Sequence, residues 1–181
     1  TLRNRHVKFE GSEIRFRFKG KSGKQWQLGY RDRRIANAIR KLQELPGQQL
    51  FQYVDEDGLP HAVRSQDVNA YIRHASGEHF SSRQFRTWGA TRLAATALSA
   101  LEPETSQRGR KLQMNVVIDS IADRLMNTRA VCRASYIHPK AFEDFECGAL
   151  AGLPKIRLSS HASAALWMDD DERRVLKWLK T

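Results

Sequence analysis

Acidic residues are in short supply. The chain of 181 residues has 20 Asp and Glu against 31 Lys and Arg, for a net charge of +11. A metal-dependent nuclease needs carboxylates among its basic motifs, and they are scarce there. The run Asp169-Asp170-Asp171-Glu172 lies beside a helix rather than spaced as metal ligands. Cysteine is scarcer still, with only Cys132 and Cys147. Two thiols make no disulfide framework, and these lack paired metal-ligand spacing. The 6 histidines form no zinc pattern either. No metal and no cofactor is expected. A reducing compartment is the default for such a chain, so the expected location is cytoplasmic. No apolar run approaches the roughly 20 residues of a membrane span. No Gly-x-Ser-x-Gly elbow occurs. The opening Thr1-Leu2-Arg3-Asn4-Arg5-His6 has neither a signal-peptide core nor an initiator methionine. It reads as the inside of a strand, so a piece of a longer chain is expected. No repeat or low-complexity segment is present.

What the chain does have is positive charge, which implies an anionic partner, with nucleic acid first. Hydrophobic residues make up 40%, enough to build a core at this length. Residues 1–30 read as strands. Ile14, Phe16 and Phe18 alternate with Arg15, Arg17 and Lys19, and Gln25-Trp26-Gln27-Leu28 resumes the alternation after the turn Gly20-Lys21-Ser22-Gly23. From Arg33 the period becomes helical through Ile35, Ile39 and Leu42, until Pro46-Gly47. Asp55 to Gly58 is a turn. Ser65 reads as the N-cap of a helix through His74, with Gly77 after it. Ser81 or Ser82 caps a longer helix to about Leu101, with Phe85, Leu93, Ala97 and Leu98 apolar. Pro103 to Gly109 reads as a linker. A helix from about Lys111 to Met126 buries Met114, Val117, Ile118, Ile121, Ala122 and Leu125. A short helix from about Thr128 to Tyr136 follows, and His138-Pro139 opens the next. Leu150 to Ser160 reads as irregular, and Asp169 starts a last helix. The expected fold class is mainly α with a small amino-terminal antiparallel sheet, α+β. The sheet would span 1–30 and a helical part 31–181.

Four residues carry candidate chemistry. Tyr136 lies in Arg129-Ala130-Val131-Cys132-Arg133-Ala134-Ser135-Tyr136, with no acidic residue between Arg124 and Lys140. A phenol can attack phosphorus and form a phosphotyrosine ester. Guanidinium groups stabilise the charge that develops there. Arg86, at a helix start in Phe85-Arg86-Thr87-Trp88-Gly89, can grip two phosphoryl oxygens. Lys21, on a glycine-framed turn, can protonate a departing alkoxide as a general acid. Asn127, nine residues before Tyr136, can donate from its amide to a phosphoryl oxygen. Taken singly, each also fits a structural role: a tyrosine finishing a short helix, a solvated first-turn arginine, a charged hairpin tip and a helix-capping asparagine.

Together these motifs, in this order and at this spacing, resemble the catalytic domain of type IB DNA topoisomerases, in the poxvirus-like branch that includes bacterial enzymes. The resemblance spans residues 1 to about 148 and carries the tyrosine recombinase/type IB topoisomerase fold. It implies cleavage of one strand of double-stranded DNA through a 3′-phosphotyrosyl link, then resealing, without ATP or metal, by a monomer. It implies that Tyr136 is the nucleophile, Lys21 the general acid, Arg86 the second catalytic arginine and Asn127 a phosphate donor where poxviral enzymes carry histidine. Arg83, Lys24, Arg129 and Arg133 are the implied DNA-binding cations. The family's first catalytic arginine and its DNA-clamping domain lie upstream of Thr1, so the 181 residues alone are expected to be inactive or impaired. A tyrosine recombinase is the near alternative. It would usually carry His where Arg83 stands and Leu-Gly-His where this chain has Leu125-Met126-Asn127. A non-catalytic basic DNA-binding module is the alternative from another class.

Overall fold

The computed structural model describes residues 2–20, 23, 25–158 and 166–181. It divides into two compact units, Thr1–Tyr71 and Ile72–Thr181. In the first unit the predicted alternation forms strand β2 (Glu13–Lys19), the middle of an antiparallel sheet between β1 (Val7–Glu10) and β3 (Gln25–Arg31). Gly11 takes the positive φ of 59° that the tight turn between β1 and β2 needs. Phe18 opposes Trp26, and their rings stack at 5.7 Å. The Trp26 indole lies against Gly20, where a Cβ would come within 2.1 Å of its Nε1. That contact accounts for the glycine before Lys21. The inward faces of Val7, Ile14, Ala36, Ile39 and Leu50 make a small core.

Helix α1 (Arg33–Gln43) starts where expected, because the Asp32 carboxylate accepts from the Arg34 and Ile35 amides at 2.8 and 2.9 Å. Its inward pair is Ala36 and Ile39; Ile35 faces solvent. Three features differ from the sequence reading. The described start is not a strand: Asn4–His6 is a 3-10 turn whose His6 Nδ1 accepts from the Arg3 amide at 3.1 Å. A hairpin, β4 (Gln52–Val54) and β5 (Pro60–Ala62), lies in the stretch read as helical. The Asp55 carboxylate holds it by accepting from the Leu59 amide at 2.8 Å and pairing with His61 at 2.6 Å, and these bonds keep that carboxyl below its ordinary range. Finally, α2 (Ser65–Ser76) includes Ser65 rather than using it as a cap; the Asp67 carboxylate takes the Arg64 amide at 2.7 Å.

The second unit is helical. α3 (Ser82–Ser99) and α4 (Gln107–Leu125) pack through Ala90, Ala94, Ala95 and Leu98 against Met114, Val117, Ile118, Ile121 and Ala122. Alanines let the two backbones come close. The inward face of α3 is therefore the alanine stripe, and Phe85, read as apolar core, is 65% exposed. The linker is shorter than predicted, because Ser106 caps α4 by accepting from the Gly109 amide at 2.9 Å. Helices α5 (Arg129–Ser135) and α6 (Lys140–Glu146) follow. Ala149–Lys155, read as irregular, is a 3-10 turn that buries Leu150 and Leu153. α7 (Asp170–Leu179) opens on Asp169, whose carboxylate accepts from the Glu172 amide at 2.8 Å. α7 inserts Val175 and Trp178 into the same core, and the Trp178 indole donates to Asp144 at 2.7 Å. Among the described residues no helix is long and apolar enough to cross a membrane.

Candidate active site

α4 ends in a turn that its sequence does not advertise. The Met126 amide donates to the Asp123 carbonyl at 3.1 Å and the Asn127 amide to Ala122 at 2.9 Å, the paired bonds of a Schellman motif. The left-handed position of that motif usually belongs to glycine. Here Met126 holds it, at φ 51° and ψ 44°. The turn swings Asn127 out of the helix. Thr128 then starts α5 by accepting from the Val131 amide at 3.3 Å.

The Leu125 carbonyl is left at the negative end of α4, where intrahelical donors have run out. Two predicted side chains fill the gap. Arg86 Nη2 donates to it at 2.7 Å, and Asn127 Nδ2 at 3.1 Å. The same Arg86 guanidinium lies 5.0 Å from the centre of the Tyr136 ring, within cation–π range. Arg86 is the fifth residue of α3, one turn further in than a first-turn position.

Tyr136 is half-buried and closes α5, its amide donating to Cys132 at 3.1 Å. Its carbonyl accepts from the Thr91 hydroxyl at 3.3 Å, and that hydroxyl accepts from the His138 amide at 3.1 Å. Burial pushes the Cys132 thiol up, and the positive charge of Arg86 acts in the opposite direction.

The remaining predicted cations are placed differently. Arg83 is exposed on α3 and lines a cleft with Thr87 and His138. Arg129 is held by Asp119, with Nε 2.6 Å from Oδ1, and that contact keeps the Asp119 carboxyl below its ordinary value. Arg133 lies over the Phe142 ring at 4.4 Å. Lys21 and Lys24 lie outside the described residues.

Residues 1–150 match the family described as eukaryotic DNA topoisomerase I, catalytic core. The chain belongs to the type IB DNA topoisomerase family. A DNA topoisomerase 1B of Acanthamoeba polyphaga mimivirus is 35% identical over 144 residues, which cover 76% of this chain and 43% of that protein. The chain thus spans less than half the length of this topoisomerase relative. The matched span includes Arg86, Asn127 and Tyr136, whereas α7 lies beyond it.

The sequence reading of this topoisomerase core missed Thr91 and the Leu125 carbonyl. A backbone acceptor carries no sequence signal. Thr91 did leave one: it is a hydroxyl set into the buried stripe of Ala90, Ala94 and Ala95.

Proposed function

We propose that the protein is a type IB DNA topoisomerase that relaxes supercoils through a covalent tyrosyl intermediate. One observation carries this reading. Arg86 and Asn127, from separate elements, converge on the Leu125 carbonyl while Arg86 also covers the ring of Tyr136. A cation and an amide donor beside a phenol suit attack on a phosphodiester.

In this mechanism the Tyr136 oxygen attacks phosphorus as its proton passes to solvent water. The bond to the 5′ oxygen breaks, and that oxygen takes up a proton from Lys21. Arg86 and Asn127 turn their donors to the non-bridging oxygens. The 3′-phosphotyrosyl ester keeps the bond energy while the free 5′ end rotates. The 5′ hydroxyl then attacks the ester, reseals the strand and returns the phenol. Arg83, Lys24, Arg129 and Arg133 contribute to the field that draws in duplex DNA, and salt weakens that binding steeply. Arg129 must exchange Asp119 for phosphate to do so. The reading extends to a monomer of the bacterial branch, acting on the nucleoid; the chain spans less than half the length of its relative, so assays use the full-length protein.

The test is relaxation of a negatively supercoiled plasmid by the full-length protein, in EDTA and without ATP. Topoisomers stepping towards the relaxed state support the reading. A plasmid left supercoiled, or resolved into recombinant products, would falsify it.

A further inference from the structure

We propose that Thr91 is a positioning residue for Tyr136, acting through the backbone on both sides of Ile137; this rests on the reading of Tyr136 as the nucleophile. Thr91 is 2% exposed and sits in a buried stripe whose other members, Ala90, Ala94, Ala95 and Leu98, are apolar. A buried hydroxyl is costly unless bonded, and a threonine inside a helix commonly spends its hydroxyl on its own helix. This one reaches another segment. Its proton goes to the Tyr136 carbonyl at 3.3 Å, and its oxygen accepts from the His138 amide at 3.1 Å.

The bonds complete a closed set. The amides of Tyr136 and Ile137 both donate to the Cys132 carbonyl, at 3.1 and 3.0 Å. The Ile137 side chain is buried. The Tyr136 carbonyl and the His138 amide, which α5 cannot satisfy, both go to Thr91. The backbone that carries the phenol is thereby clasped to α3, and α3 also carries Arg86. One rigid helix sets the cation over the ring and the main chain beneath it. Arg86 and Thr91 are five residues apart on α3, so a shift of the Tyr136 backbone changes the distance between phenol and guanidinium directly. A displacement of about 1 Å at a reacting group can cost about a hundredfold in rate.

Thr91→Val keeps the shape and removes the hydroxyl; Thr91→Ser keeps the hydroxyl. Two measurements on the full-length protein apply. The first is amide hydrogen exchange at His138. The second is the single-turnover rate of adduct formation on a duplex whose cleaved end diffuses away, alongside duplex affinity. The expected result for Thr91→Val is His138 exchange faster by about tenfold and adduct formation slower by about 10- to 100-fold, with affinity unchanged. Thr91→Ser should stay close to wild type in both. Wild-type exchange and rate in Thr91→Val overturn the proposal, as does a Thr91→Ser protein as slow as Thr91→Val. If wild-type protein forms no adduct, the reading of Tyr136 fails; His138 exchange still decides whether the clasp exists.

Discussion

Replacing Met126 by glycine and by alanine should reverse the usual helix ranking. Met126 is non-glycine with φ 51° at the end of α4. A left-handed L-residue costs about 1–2 kcal/mol. Alanine at this position keeps that cost and loses the half-buried methionine side chain. Glycine loses the same side chain and relieves the backbone. It also gives up about 0.5–1 kcal/mol through the greater freedom of the unfolded chain. Net, Met126→Gly should be more stable than Met126→Ala by about 0.5–1 kcal/mol. Ser120, exposed in the middle of α4, supplies the control. There Ser120→Ala should exceed Ser120→Gly by about 1 kcal/mol. Urea unfolding followed by circular dichroism reads all four variants. If alanine is the more stable residue at both positions, the left-handed turn that presents Asn127 is wrong, and the argument for its donor geometry goes with it.

Two further outcomes follow from contacts around the site. Trp178→Ala should destabilise the Ile72–Thr181 unit by about 3–5 kcal/mol, because the indole fills the core and bonds Asp144; Trp178→Phe, which loses the N–H and part of the ring volume, should cost about 1.5–3 kcal/mol, and denaturant midpoints check both. The Asp119 carboxyl, lowered by Arg129, should titrate by NMR below an ordinary aspartate. Its folded value lies below its unfolded one, so its stabilising contribution is present above the ordinary carboxylate range and is lost as pH falls through the folded value. Asp119→Asn should flatten the acid limb of the stability curve.

The legible parts of this fold are those with local causes. Helices start where read at Asp32, Thr128 and Asp169, whose side chains bond the first free amides; Ser106 does the same for α4, but its place in a polar stretch made it read as linker. The alternation around Phe16 marks a strand. The β4–β5 hairpin was not legible, since three-residue strands are too short to show a period and a side-chain bond between Asp55 and His61 does part of the holding. On α3 Leu98 is buried as read, but the rest of the buried apolar face is alanine, a weak hydrophobic signal, whereas Phe85 is a strong one that faces solvent. Of the candidate site, Arg86 and Tyr136 were readable from their motifs, and the structure brings them together. The reason for their meeting was not readable, because it depends on a methionine in a glycine conformation and on a carbonyl. The Leu-Gly-His pattern of recombinases puts glycine where Met126 stands. The backbone here takes the left-handed shape that glycine favours.

On the proposed mechanism Tyr136 becomes covalently joined to DNA. The full-length protein is mixed in EDTA with a duplex whose cleaved end diffuses away, and the reaction is stopped in SDS. The expected result is a protein–DNA adduct linked through the 3′ phosphate, absent from Tyr136→Phe although that variant still binds the duplex. No adduct with wild-type protein, or an adduct that survives Tyr136→Phe, would contradict it.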